Sequence, residues 1–214
     1  MKINIQDVEV SVIDDDLYLQ ISDPSEADLY KIWAEITTSY PNYEKWLCFR
    51  NVEIPHAFLQ EHNAILKDDC IRLLLYPNAF IYDETQTAEA ITVETFPELA
   101  ALHDQSYSDM YWTGERLGRD LTKWGIFCTR CPKGKISDYI IISNWQTGMA
   151  EIFCIHTTSH DNCKKLLNTA AKYGFDIGKP NVLYMADNIP NGIDHDTALA
   201  IGFVNEGFYQ GYQL

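Results

Sequence analysis

The chain is short of positive charge. Its 214 residues carry 16 Lys and Arg against 31 Asp and Glu, a formal net charge of −15. A phosphate backbone is held by clustered cations, so nucleic acid is excluded as a partner, and so is an anionic membrane surface. Long apolar runs are also missing: none approaches the roughly 20 residues that span a bilayer. The opening MKINIQDVEVSVIDDD lacks the apolar stretch and small-residue cleavage site of a secretory signal. Residence in the cytoplasm is the expectation. No GxxxxGK[ST] or GxGxxG run occurs, so the usual sequence marks of nucleotide cradles are absent. Cys128-Thr-Arg-Cys131 stands alone, with no second pair to complete a four-ligand zinc site. No metal is expected, and the six cysteines read as reduced thiols.

What is present is an ordinary core: 46% hydrophobic and 22% charged residues. The charge is uneven, with residues 1–90 at a net −11 and residues 91–214 at −4. An anionic ligand is therefore expected on the second half.

Val8–Ile13 and Leu17–Ile21 alternate in the manner of strands. Ser22-Asp23-Pro24 opens a helix on which Leu29, Ile32, Trp33 and Ile36 form one apolar face. Strands follow at Trp46–Phe49 and Cys70–Tyr76, around a helix from Pro55 to about Asn63. The polar stretch 83–91 is the expected boundary between domains 1–90 and 91–214. Beyond it, helix is expected over Phe96–His103 and from Tyr111 to about Trp124. Strands are expected at Ile126–Thr129, Ser137–Ser143 and Ala150–Ile155. A helix over His160–Gly174 stops at its glycine. A strand at Asn181–Met185, a helix at Asp194–Ile201 and an aromatic strand around Phe208–Tyr212 complete the chain.

The two halves share an order. Strands near 17, 46 and 70 and strands near 151, 181 and 205 are each separated by two helices, with nearly equal spacing. One reading is a diverged partial copy, and the other is coincidence between common βαβαβ patterns.

In the second half, about 120 residues, the helical pair 96–124 precedes the hairpin Asp138–Ile155 and a strand–loop–helix that ends in Leu166-Leu167 and Ala170-Ala171. Asn191 followed by Gly202-Phe203 completes the series. In this order the half resembles the GNAT superfamily of acyl-CoA N-acyltransferases. The resemblance implies an α/β fold: a GNAT-like mixed sheet flanked by helices, preceded by a smaller βαβαβ unit. It also implies acetyl-CoA as co-substrate. The cofactor-binding residues it implies are Ile155, Thr158, Ser159, His160, Asp161, Asn162, Cys163, Lys164 and Asn191. Family members carry an Arg or Gln and two glycines in the loop before the helix; here Thr158, Asp161 and Cys163 take those places. Free amides at the helix start would cradle the pyrophosphate; alternatively, Ser159 and Asp161 cap the helix and bind no phosphate.

The reaction that the resemblance implies is acyl transfer, acetyl being expected, to a primary amine on a small molecule or peptide. Glu151 is the candidate base, raised by burial, or else a solvent-facing carboxylate. The family's usual acid tyrosine is replaced by Ala198, so Tyr209 on the last strand is the candidate acid, with Tyr212 and His195 behind it. Tyr107, Tyr111 and Trp112 would line the acceptor pocket or simply pack in the core. The alternative function is a noncatalytic GNAT-fold binding module that has lost acetyl-CoA.

Overall fold

The computed structural model describes residues 1–13, 17–108, 110–146, 148–189 and 192–214. The chain forms two compact units, one of residues 1–71 with 207–214 and one of residues 72–206.

In the first unit, β1 (Lys2–Ile5), β2 (Val8–Ile13) and β3 (Tyr18–Ser22) pair antiparallel in sequence order. The chain then enters α1 (Glu26–Ser39) and returns as β4 (Glu44–Arg50), parallel to β3. α2 (His56–Glu61) and β5 (Ile65–Leu75) follow. The last strand of the chain, β11 (Val204–Gln213), pairs antiparallel with β4 from Tyr209 to Gln213. Alternation explains the layers. Leu19 and Ile21 of β3 and Leu47 and Phe49 of β4 point to one face. There they meet Leu29, Ile32 and Ile36 of α1 and Phe58 and Leu59 of α2. Each such apolar side chain contributes about 1.5–3 kcal/mol on burial. The helix starts three residues later than Asp23 suggested, because Ser25 is the cap: its side chain accepts from Asp28 N–H.

The second unit opens with the end of β5 and contains β6 (Glu89–Ala90), α3 (Phe96–Ser106) and the short α4 (Gly114–Gly118). The helix expected to run on to about Trp124 stops at Gly118. A 3-10 turn at Leu121–Lys123 follows, and β7 (Trp124–Arg130) already begins at Trp124. β8 (Ile136–Ser143) and β9 (Ala150–His156) continue an antiparallel meander. α5 (His160–Asp176), β10 (Val182–Asp187) and α6 (Ile193–Ala200) follow, and β10 lies parallel to β9.

One face of this sheet packs Leu99, Leu117, Trp124, Tyr139 and Ile141 together under α3 and α4. The other face receives α5 through Leu166, Leu167, Ala170 and Ala171. Gly174 does not end α5; it lets the helix approach the sheet. A Cβ there would stand 2.8 Å from Val182 Cγ2 and 3.2 Å from Ala150 Cβ.

The stretch 83–91 is no linker. The fully buried Asn168 of α5 accepts from Asp83 N–H at 3.1 Å and donates to the carbonyls of Asp83 and Gln86. Ala88 N–H donates to Thr169 Oγ1, and β6 pairs with β7. The boundary expected at 90/91 therefore falls inside the second unit, with its polar residues spent on α5.

Candidate active site

The parallel pair β9–β10 has a register at three positions only: Ala150 with Val182, Glu151 with Leu183, and Ile152 with Tyr184. Beyond Ile152, β9 runs on to His156 and β10 to Asp187 with no register between them. The cause lies on the other side of β9. There Ile141 of β8 faces Cys154 and Ile142 faces Ile152, so Phe153 is an extra residue. Such a bulge bends its strand and locally breaks the ladder. The two parallel strands thus part at the bulge, opening a wedge edged by backbone.

Tyr107, at the C-terminus of α3, reaches into this wedge. Its hydroxyl donates to the Ile155 carbonyl at 3.3 Å. Its electrostatic neighbours are Cys154 on β9 and two carboxylates from the other bank, Asp187 ending β10 and Asp194 opening α6. Burial, with Cys154 beside it, holds the hydroxyl well above the usual tyrosine range, so it stays protonated. The Cys154 thiol is itself pushed up to about 12 by burial and is no nucleophile.

Behind Tyr107 the histidines are ordered. His103 is fully buried, with Nε2 at 2.8 Å from the Trp112 carbonyl. A carbonyl only accepts, so Nε2 carries the proton and Nδ1 accepts from the Tyr139 hydroxyl, also at 2.8 Å. The His156 ring stacks on Tyr139, with centroids 5.3 Å apart and planes 16° from parallel. Burial lowers the His156 pKa and favours the neutral ring at neutral pH.

Glu151 sits one residue before the pair opens. It is half-buried, accepts from Gln146 Nε2 and has its pKa raised by desolvation. It does not stand free on the solvent side of the strand. Tyr209 belongs to the first unit, where its hydroxyl donates to Cys48 Sγ at 3.2 Å. The structure therefore does not bring Tyr209 to Glu151 within one unit. Asn191 lies outside the described residues.

The loop from β9 to α5 is held from below. Asp138 on β8 has no solvent exposure. Its carboxylate accepts from Thr158 N–H at 2.6 Å, Thr158 Oγ1 at 2.8 Å and Asn162 Nδ2 at 2.9 Å. Ser137 Oγ and Thr129 Oγ1 add two more bonds, at 2.6 and 3.2 Å. Burial pushes this carboxyl up, but the hydrogen bonds outweigh it and hold it below the usual carboxylate range. Asp138 is ionised, buried and fully engaged.

Part of the helix start is likewise used internally. Ser159 Oγ accepts from Asn162 N–H. Thr157 Oγ1 donates to the Ser159 carbonyl. His160 Nδ1 lies 3.3 Å from Thr197 Oγ1. The Thr197 hydroxyl proton goes to the Ile193 carbonyl, so that oxygen accepts from His160. Cys163 is buried, its thiol pushed up to about 12. Lys164 turns to Asp83 at 3.4 Å, while Lys165 has no ion pair among the described residues. Asp161 stands exposed in the first turn.

Nine residues were expected to form a cofactor site. Ile155 meets the wedge; Thr158, Ser159, His160, Asn162 and Lys164 bond to neighbouring groups of the protein, Cys163 is buried and Asp161 is exposed. Asp138 was missed by the sequence reading. Its only sign is a charge among the buried residues of β8, in Ser137-Asp-Tyr-Ile-Ile-Ile-Ser143.

These residues bear on whether CoA fits. Its nucleotide diphosphate would need the loop amides; Thr158 N–H is taken by a carboxylate and Asn162 N–H by a cap, while the N–H groups of Ser159, His160 and Asp161 have no partner among the described residues. A further anion a few ångströms from Asp138 would be repelled by about 2–4 kcal/mol at an effective dielectric near 20. The open edges of β9 and β10, by contrast, suit an extended amide-bearing arm.

The sequence matches no family profile and no curated protein. Solved structures do match along the whole chain. A functionally unknown conserved protein from Staphylococcus epidermidis superposes with TM-score 0.71 at 12% identity, over 100% of this chain and 93% of that one. A GCN5-related N-acetyltransferase from Kribbella flavida gives TM-score 0.68 at 11% identity, over 100% and 88%. The chain has the GNAT fold. An acetyltransferase of the GNAT family from Colwellia psychrerythraea, at TM-score 0.57 and 15% identity over 100% and 84%, agrees. Identities this low establish the GNAT fold and leave function to the site. Among the described residues, no helix is long and apolar enough to cross a membrane, and no cluster of three or more His, Cys, Asp or Glu could hold a metal.

Proposed function

We propose that the protein is a GNAT-type N-acyltransferase, carrying an acyl group, acetyl in the simplest case, from a CoA-type thioester to a primary amine. The observation that supports this reading is the β9–β10 pair parting at the Phe153 bulge, with Glu151 one residue before the opening. In the reaction the amine nitrogen bonds the acyl carbon and the carbon–sulfur bond breaks. One ammonium proton goes to Glu151, whose pKa burial raises, making it a stronger base than an exposed carboxylate. A second proton leaves the nitrogen as the amide forms and ends on the departing sulfur. Tyr107 is the protonated hydroxyl in the wedge and donates a hydrogen bond to that sulfur. The acceptor is a small-molecule or peptide amine, met in the cytoplasm, where six free cysteines stay reduced.

A second reading has one observation in its favour. The Asp138 carboxylate occupies donors of Thr158 and Asn162 in the loop, which suits a GNAT-fold binding module without catalysis. Calorimetry with acetyl-CoA, followed by a thiol-release assay over a panel of amines, decides between them. Amine-dependent thiol release that disappears in Glu151→Gln supports the transferase. Thiol release from no amine in the panel sinks it and leaves the binding module.

A further inference from the structure

We infer that the Ser143 hydroxyl holds the candidate base in position: it donates to Oε1 of ionised Glu151 while Gln146 donates to Oε2, so that the carboxylate is fixed from both sides to receive the amine's proton. The inference rests on the acyl-transfer reading above and adds a positioning residue to it.

An orphaned hydroxyl is the first observation. Ser143, the last residue of β8, is 2% exposed, and its Oγ is sealed from solvent with no hydrogen-bond partner. Leaving a buried hydroxyl unpaired is costly, and such groups are rare. The Trp124 and Phe153 rings, from the strands on either side of β8, lie 5.9 Å apart and cover this part of the sheet. A hydroxyl sealed in this way must find its partner in a neighbouring side chain.

Strand register is the second. Ser143 stands opposite Trp124 on one side and Glu151 on the other. Residues paired across antiparallel strands share a face, with Cβ atoms about 5 Å apart. A Cβ on Gly174 of α5 would touch Ala150, so alternation turns Glu151 to the opposite face, where Trp124 packs under α3 and α4. Of the two neighbours, an indole only donates, so Glu151 is the one that can accept. Its Oε2 is already taken by Gln146. The terminal torsion of a glutamate is soft, and a turn about it brings Oε1 to Ser143. An O–H donor favours the charged form, so the bond strengthens as Glu151 ionises. Burial and Gln146 are what act on this carboxyl, and Lys179, the cation at this end of the strands, gives its ammonium to the Gln146 carbonyl at 2.6 Å.

The test titrates Glu151 by carboxyl carbon NMR in the full-length wild type and in Ser143→Ala, the resonance being assigned by its loss in Glu151→Gln. The expected result is a Glu151 midpoint about one pH unit higher in Ser143→Ala, since the charged form has lost a donor. At neutral pH, kcat/KM for thiol release should fall about tenfold, and Ser143→Ala should change nothing further in a Glu151→Gln background. A hydroxyl that only fills space would behave otherwise: its removal would leave the titration unmoved and the fold as stable or more so. An unmoved midpoint alongside wild-type thiol release overturns the inference and leaves acyl transfer standing. A raised midpoint with no thiol release from any amine removes acyl transfer, and the positioning role falls with it. Should the alanine variant not fold, Ser143→Cys keeps the shape with a weak S–H donor and must move the midpoint in the same direction.

Discussion

The two units build the same succession, an antiparallel meander, a helix, then a strand parallel to the last of the meander, and they differ in how that parallel pair ends. In the first unit β3 and β4 stay in register over five positions, from Tyr18 with Glu44 to Ser22 with Cys48. Asp23 then bridges the gap, its carboxylate accepting Arg50 N–H at 2.7 Å and the Arg50 guanidinium at 2.6 and 3.0 Å. In the second unit the register stops after three positions, and the aspartate that holds the loop comes from β8, on the far side of β9 from β10. One aspartate ties the parallel strands together, while the other ties the loop away from them. A wedge therefore follows from where an extra residue and a carboxylate are placed, and the order of elements does not guarantee it.

The largest effect expected from breaking this contrast is at Asp138. Replacing it with Ala removes a buried carboxylate and leaves the partly buried donors of Thr158, Asn162, Ser137 and Thr129 without their acceptor, which should cost about 3–5 kcal/mol in urea unfolding. Asp23→Ala removes a pair whose arginine is 45% exposed and one bond to a backbone N–H, so it should cost about 1–2 kcal/mol and leave thioester turnover unchanged. Equal losses at the two sites would erase the distinction between a buried tether and a surface strap.

Next comes chemistry. Glu151→Gln should lower turnover by about a hundredfold or more while the protein remains folded by circular dichroism. Its pH behaviour has a definite sign. A carboxyl whose folded pKa is raised binds its proton more tightly in the folded state. Stability then falls as pH rises from the unfolded carboxylate pKa through the folded one, while base catalysis grows over the same range. Glu151→Gln should remove that decline. Asp138, held below the usual range, has the opposite sign: its contribution is full above the unfolded pKa and is lost as pH falls through the folded one. Acid unfolding of Asp138→Asn should be correspondingly less steep. An unchanged acid limb would show that the Asp138 bonds add nothing to folding.

Packing gives a smaller step. Gly174→Val pushes methyls into Val182 and Ala150 and should cost about 1–3 kcal/mol. Tolerance without loss would mean that α5 does not hold the zipped portion of β9 and β10. The smallest effects are the caps. Ser25→Ala and Ser159→Ala each lose one N-terminal hydrogen bond and should cost about 1 kcal/mol in thermal unfolding. A much larger loss at Ser159 would tie that residue to a ligand or to the Asp138 network in addition to its cap.

Most strands and helices were legible from pattern alone, since Leu29, Ile32 and Ile36, or Leu166, Leu167 and Ala170, repeat at helical steps whatever lies opposite. The two-residue β6 was not, because two polar-flanked residues carry no period. Gly174 looked like a stop because a glycine in sequence shows only its backbone freedom; the sheet pressed against it is visible only in space. The candidate site divides in the same way. Glu151 and the 158–164 loop could be named from their order along the chain, but Asp138 and Tyr107 come from β8 and α3 and meet the loop and the wedge only after folding.

The sequence by itself determined the succession of elements, their apolar faces and the resemblance to the GNAT fold, because these depend on local period and spacing. Tertiary structure alone decided that β9 and β10 separate at Phe153, that Tyr209 bonds Cys48 in the first unit and that a buried carboxylate from another strand takes up donors of Thr158 and Asn162. Hydrogen-bond partners and the onset of a bulge are settled between segments far apart in the chain, and no local pattern records them.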